Sequence, residues 1–226
     1  MMARTALVTG TSSGIGKAIA ERLLGDGWGV IGLDLAKPTL RHAGFRSIDV
    51  DLADRAARLA ALKVAGPVDA VVHAAGVMRG GRLGALDHAA GDLLWRLHVD
   101  AAIALADHFA PTLPNGGRIV LIGSRAIKGI AGKSQYGAAK AALVCLARAW
   151  ATELVQAGIT VNVVSPAATD TAMLVDPERV VIPPETPPIG RRIRPDEIAS
   201  LVAYLLSEQA AAITGQDISI CGGASL

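Results

Sequence analysis

Residues 5–24 read TALVTGTSSGIGKAIAERLL. An apolar, β-branched run ends in a loop holding Gly10, Gly14 and Gly16, and an alanine- and leucine-rich helical run follows at once. A strand that passes through glycine into a helix is the opening unit of a layered α/β fold. Glycine permits positive φ in the turn and lets the backbone approach a bound group, while free N–H groups at a helix start favour an anion. The stretch TGTSSGIG, with Ser12, Ser13 and Ile15 among its glycines, is therefore a candidate phosphate cradle, and equally a tight turn between strand and helix. Its G-x-x-x-G-x-G spacing differs from the common dinucleotide fingerprint.

The same alternation continues along the chain. Apolar runs at 30–33, 47–50, 70–73, 118–123, 159–164 and 217–221 are interleaved with helical runs at 14–26, from Leu52, around 87–110, at 135–157 and at 195–207. Apolar residues occupy successive positions in the strand-like runs, so both faces of the sheet are expected to be buried. The pattern predicts a parallel, doubly wound α/β sheet of about seven strands, in one domain over residues 1–226. The segment 176–195, DPERVVIPPETPPIGRRIRP, holds six prolines and predicts a loop.

Hydrophobic residues make up 51% of the chain and charged residues 19%, a balance that raises the question of a membrane span. Arg, Asp or His interrupts every apolar stretch well short of the ~20 residues a span needs, and MMARTALVTG carries no cleavage pattern of a secretion signal. A cytoplasmic protein is expected. Cys145 and Cys221 share no metal-ligand spacing and are expected to be reduced, and no metal site is expected. A net charge of +2 without a basic run, and few aromatic residues, argue against nucleic acid as a partner.

Two further features carry chemistry. Asp34 ends the second strand run ~20 residues past the glycine loop, where a carboxylate can accept bonds from both hydroxyls of an adenosine ribose. A 2′-phosphate would meet it as a like charge. Two unit charges ~4 Å apart interact by ~4 kcal/mol at an effective dielectric of ~20, roughly a thousandfold preference, so NAD is expected over NADP. The alternative is a solvated strand-end Asp, and Lys37 nearby would partly offset the repulsion. In SQYGAAKAAL, residues 134–143, Tyr136 and Lys140 stand four apart and share one helix face. An ammonium at ~4 Å supplies the ~4 kcal/mol that brings a phenol about three pKa units down, towards neutrality. From spacing alone, a packed tyrosine on an amphipathic helix is the better explanation of the pair.

Taken together, TGTSSGIG, Asp34, HAAG at 73–76, Ser124 after RIVLIG, YGAAK and the closing ITGQDISICGG resemble the short-chain dehydrogenase/reductase family over nearly the whole chain. The resemblance implies a Rossmann-type fold with Tyr136 as general acid/base, Ser124 orienting the substrate oxygen, and Lys140 binding the nicotinamide ribose and lowering the Tyr136 pKa. It implies that Leu35, Asp51 and Leu52 border the adenosine with Asp34, that Ala74, Ala75 and Gly76 run along it, and that Thr169 and Thr171 meet the nicotinamide end. It also implies a homo-oligomer, dimer or tetramer, built around the helices at 87–110 and 135–157.

This chain departs from the family pattern at several points. His73 and Ala74 stand where two asparagines are common, and SPA at 165–167 replaces Asn-Pro-Gly. His98 takes the place of an asparagine that anchors a proton-relay water; an imidazole that relays and one that merely packs fit equally. Only a short crossover, LAKPTLRHAGFRSIDV, lies between Asp34 and Asp51, so no full helix is expected there.

The expected activity is NAD-dependent hydride transfer between nicotinamide and a secondary alcohol or ketone. The alternatives are an NADPH-dependent carbonyl (3-oxoacyl-type) reductase and a catalytically dead dinucleotide-binding regulator. A loop from Ala172 to about Ile189, with Met173, Leu174, Val175, Val180, Val181 and Ile182, is expected to close over the substrate. Its apolar residues suit a partly apolar substrate or simply seat the loop. Arg79, Arg82 and Arg125 are each within reach of a substrate carboxylate on this reading.

Overall fold

Strand β1 (Thr5–Thr9) sits inside the sheet, covered on both faces, because both of its faces are apolar: Leu7 enters one core, and Ala6 and Val8 enter the other. The computed structural model describes residues 4–176 and 185–226. β2 (Gly29–Asp34) and β3 (Phe45–Asp49) lie to one side of β1. β4 (Ala70–His73), β5 (Arg118–Ile122), β6 (Thr160–Pro166) and β7 (Asp217–Ile220) lie to the other, giving the order β3-β2-β1-β4-β5-β6-β7. Every pairing is parallel. A parallel sheet needs helices on both faces, and the successive apolar residues of the strands answer that need.

One core joins Leu7, Leu33, Val71, Leu121 and Val163 to α2 (Arg55–Ala65), α4 (Ala101–Phe109) and α5 (Ser134–Leu154). The other joins Val8, Val30, Val72, Val120 and Val164 to α1 (Gly14–Gly25) and α6 (Pro195–Leu205). The sequence-predicted strands and helices all appear, with shifted ends. The helix expected from Leu52 starts at Arg55, because the Asp54 side chain accepts from the Ala57 N–H and caps it. Residues 35–44 form no helix, as the short crossover implies.

The run around 87–110 is less regular than its composition suggests. It is α3 (His88–Leu94), capped by Asp87, then a π-helical turn Trp95–Asp100, then α4. A π-turn places an extra residue in the coil, and this one turns His98 and Val99 inward, both buried. Cys145 and Cys221 are free thiols. Among the described residues no helix is long and apolar enough to cross a membrane, and no group of His, Cys, Asp or Glu is arranged to hold a metal ion. Of the loop expected over the substrate, Val180, Val181 and Ile182 lie outside the described residues.

Candidate active site

The strand order reverses between β1 and β4, since the chain leaves β1 for β2 on one side and β4 for β5 on the other. The segments beyond their carboxyl ends diverge there and leave a crevice. Thr9 ties its floor together. Its buried hydroxyl oxygen accepts from the Ala74 N–H at 2.9 Å and the Ala75 N–H at 2.8 Å, and lies 3.0 Å from His73 Nδ1. With both lone pairs occupied, the hydroxyl proton goes to Nδ1, so His73 is the Nε2–H tautomer. Burial, with the Lys140 charge adding to it, holds the His73 pKa down at about 3. Its Nε2 faces the Leu97 and His98 carbonyls of the π-turn without reaching hydrogen-bonding geometry.

The glycine loop lies directly against this floor. A Cβ on Gly10, whose φ is +75°, would stand 3.0 Å from the Ala75 Cα, and one on Gly16 would overlap the Gly10 and Thr9 carbonyls. Only glycine at these two positions closes this turn and still leaves its N-terminal face open to a ligand. The loop's far side is held by Asp34, which accepts from the Ser12 N–H and the Ala36 N–H, each at 2.8 Å. Ser12 Oγ donates to the Ala36 carbonyl at 2.9 Å, so its side chain ties two loops instead of facing the crevice. Two of the carboxylate's roughly four acceptor positions are thus used, and the others remain for donors.

Across the crevice, Ser124 follows β5 by two residues; its Oγ accepts from the Ala126 N–H at 3.1 Å and caps a 3₁₀ turn, Arg125–Lys128. α5 packs on that turn through Gly137, where a Cβ would be only 2.9 Å from the Ala126 carbonyl oxygen. Beside Gly137 stands Tyr136. Lys140 follows one helical turn later, 4% exposed, with Nζ donating to the Ile122 carbonyl at 2.8 Å and lying 5.9 Å from the Tyr136 ring centre. Burial brings the Lys140 pKa from its ordinary 10.5 to about 7.

His98 meets the Tyr136 ring edge to face at 5.6 Å. Its Nε2 is 3.0 Å from the Val77 carbonyl and 3.3 Å from the Val77 N–H, one contact serving each tautomer. Nδ1 is buried without a partner among the described residues. Burial first, then the Lys140 charge, keeps His98 neutral well below the usual histidine range.

These groups share one cavity of about 460 Å³. Its walls bring together the predicted Gly10, Ser13, Gly14, Ile15 and Gly16; Ala74, Ala75 and Gly76; His98, Ser124, Tyr136 and Lys140; and Thr169 and Thr171. Five predicted residues lie outside those walls. Ser12 and Asp34 brace the loop as described, and Leu35 is exposed next to them. The Asp51 carboxylate accepts from the Ala53 N–H, and Leu52 is buried in the core beneath β2. The sequence reading missed the tail after β7. Gly223, Ala224 and Leu226 line the cavity; Gly222 and Gly223, two glycines just past the carboxyl end of the last strand, mark a turn in the sequence but not the crevice that the tail meets.

The residues present fit a dinucleotide. A glycine-rich cradle lies at a helix N-terminus, a strand-end carboxylate has acceptor capacity left, and among the described residues a buried nitrogen, His98 Nδ1, lacks a partner beside the tyrosine. A dinucleotide cradle joined to a Ser, Tyr and Lys cluster at the switch point of a parallel sheet defines a class of cofactor-dependent oxidoreductases. The model of a family described as enoyl-(acyl carrier protein) reductase matches residues 10–225. The 3-oxoacyl-[acyl-carrier-protein] reductase FabG of Salmonella typhimurium is 34% identical over 236 residues, covering 97% of this chain and 96% of that protein. Among solved structures, a short-chain dehydrogenase/reductase from Serratia marcescens superposes with a TM-score of 0.89 at 32% identity, covering 99% of this chain and 98% of the other. A blue fluorescent protein from a metagenomic library, in complex with NADPH, gives 0.86 at 30% identity over 99% and 98%. The chain belongs to the short-chain dehydrogenase/reductase family of oxidoreductases.

Proposed function

We propose that the chain is a single catalytic domain that prefers NAD and interconverts a secondary alcohol and its ketone, with Tyr136 as general acid/base. The observation that carries this reading is the convergence of Ser124, Tyr136 and Lys140 on one cavity wall, with the Lys140 ammonium group anchored out of water on the Ile122 carbonyl. A nicotinamide dinucleotide in the crevice supplies the hydride donor or acceptor. The protein's part is to place the substrate oxygen and move its proton. Ser124 Oγ orients that oxygen, and Tyr136 exchanges the hydroxyl proton with it. When Lys140 carries its charge, it stabilises the phenolate form of Tyr136, and each pKa unit of that effect is worth ~1.4 kcal/mol. His98 positions the Tyr136 ring, and its unpartnered Nδ1 is the acceptor or donor for a relay water.

Asp34, braced by two N–H groups at the mouth of the glycine loop, supports NAD over NADP by like-charge repulsion of a 2′-phosphate. Gly10 to Gly16 receive the pyrophosphate; Leu35, Asp51, Leu52 and Ala74 to Gly76 border the adenosine; Thr169 and Thr171 meet the nicotinamide end. The segment 172–189 forms the substrate side, and Met173 and Leu174 already stand in the cavity wall. A cytoplasmic homo-oligomer is part of this reading, and Trp95 and Ile103, apolar and exposed on the long helical run, support its self-association.

A second reading, an NADPH-dependent 3-oxoacyl-type reductase, draws on the likeness to FabG and to the NADPH-bound neighbour. Comparing kcat/KM for the two cofactors separates the readings, since NAD is expected to win by at least tenfold. Tyr136→Phe is expected to lose roughly 10²- to 10⁴-fold in turnover while binding the dinucleotide normally. Full turnover in that variant would refute the acid/base assignment.

A further inference from the structure

Of the three arginines near the crevice, the structure separates one from the others. Arg79 pairs with Asp176 at 3.1 Å, and Arg82 is exposed and outside the cavity wall. Arg125 directly follows Ser124 and lines the cavity. Its Nη1 donates to the Ala224 carbonyl at 2.6 Å, and Ala224 belongs to the same wall, so this bond fixes the guanidinium at the rim formed by the C-terminal tail. Among the described residues Arg125 makes no ion pair, although the Glu185 carboxylate shares the cavity. A half-buried guanidinium with most of its fork uncommitted is matched by a planar anion. Met78, Ile130, Met173 and Leu174 make the neighbouring wall apolar.

We propose that Arg125 receives a carboxylate of the substrate, which makes the substrate a hydroxy or oxo acid with its reacting carbon a few bonds from the acid group. This rests on the oxidoreductase reading above. The fixed guanidinium selects the anion, and the apolar wall takes the carbon chain.

The test compares 3-oxo acids of four to eight carbons with their methyl esters, as substrates and as ligands. The wild-type protein is expected to favour the acids by tenfold or more in kcat/KM. Arg125→Gln, which keeps a donor for Ala224, is expected to lose roughly 10- to 100-fold more on the acids than on the esters, mainly in KM, and Arg125→Lys to recover part of it. Calorimetry on the cofactor-loaded Tyr136→Phe protein reads the same contact without turnover. There an acid should bind at least tenfold more tightly than its ester, and the further change Arg125→Gln should remove that difference. Esters used as well as acids, or equal losses on both, would overturn the proposal while leaving the oxidoreductase reading intact. Selective acid binding without turnover by the wild-type protein would sustain the proposal and overturn that reading.

Discussion

Replacing Lys140 with Met is expected to stabilise the cofactor-free protein more at pH 6 than at pH 9. Lys140 is buried, and its pKa falls from 10.5 to about 7 on folding. Between those two values the unfolded chain holds a proton that the folded chain has released, so wild-type stability rises with pH across that window. Below pH 7 both states are protonated and the full cost of burying the charge is present. A displacement of ~3.5 units at ~1.4 kcal/mol each makes that cost about 5 kcal/mol, an order-of-magnitude figure. By pH 9 about 3 kcal/mol of it has been relieved. Methionine has no charge to relieve, so the margin by which the variant exceeds wild type should shrink by about 3 kcal/mol from pH 6 to pH 9. The substitution also strips the Ile122 carbonyl of its 2.8 Å donor. That loss is on the order of 1–3 kcal/mol but does not vary with pH, so it offsets the margin without changing its slope. Urea denaturation of both proteins at half-unit steps of pH provides the measurement. A margin that stays flat or widens with pH would show that Lys140 is not buried as an ammonium group.

Two other substitutions probe the crevice itself. Thr9→Val keeps the shape of a fully buried side chain but leaves the Ala74 and Ala75 N–H groups and His73 Nδ1 without their partner; a loss of about 3 kcal/mol in urea is expected, with Thr9→Ser close to wild type. Asp34→Asn removes the charge and keeps an acceptor for one of the two loop N–H groups, and should raise the ratio of kcat/KM for NADP over NAD by tenfold or more; an unchanged ratio would remove Asp34 from cofactor choice.

The sheet was legible in the sequence because its strands are buried on both faces, which leaves runs such as Ala70–His73 and Arg118–Ile122 with a pattern few other elements share. Motif order also located the glycine loop, Ser124, Tyr136 and Lys140, and the structure brings them to one cavity. Contacts that depend on distant strands becoming neighbours were not legible. Nothing local in ICGGASL says that β7 will deliver the tail to the same crevice as Ser124, because that follows from the pairing of β6 with β7. The π-turn was hidden for another reason: over only six residues its wider period cannot be told from the 3.6-residue repeat of the helices on either side. Nor does a Tyr-x-x-x-Lys spacing reveal that the lysine's hydrogen bond runs to the Ile122 carbonyl.

Gly137 carries a consequence for how the site can change. The methyl group it lacks is all that would separate α5 from the Ala126 carbonyl, and the Ala126 N–H in turn holds Ser124 Oγ. The gap between the two hydroxyl groups is therefore set by a backbone contact, one residue from Tyr136 and two from Ser124. A larger residue at 137 or a shifted peptide at 126 would widen the jaw without altering either tooth. On the proposed function, such a change alters the room for substrate while leaving Ser124 and Tyr136 themselves in place.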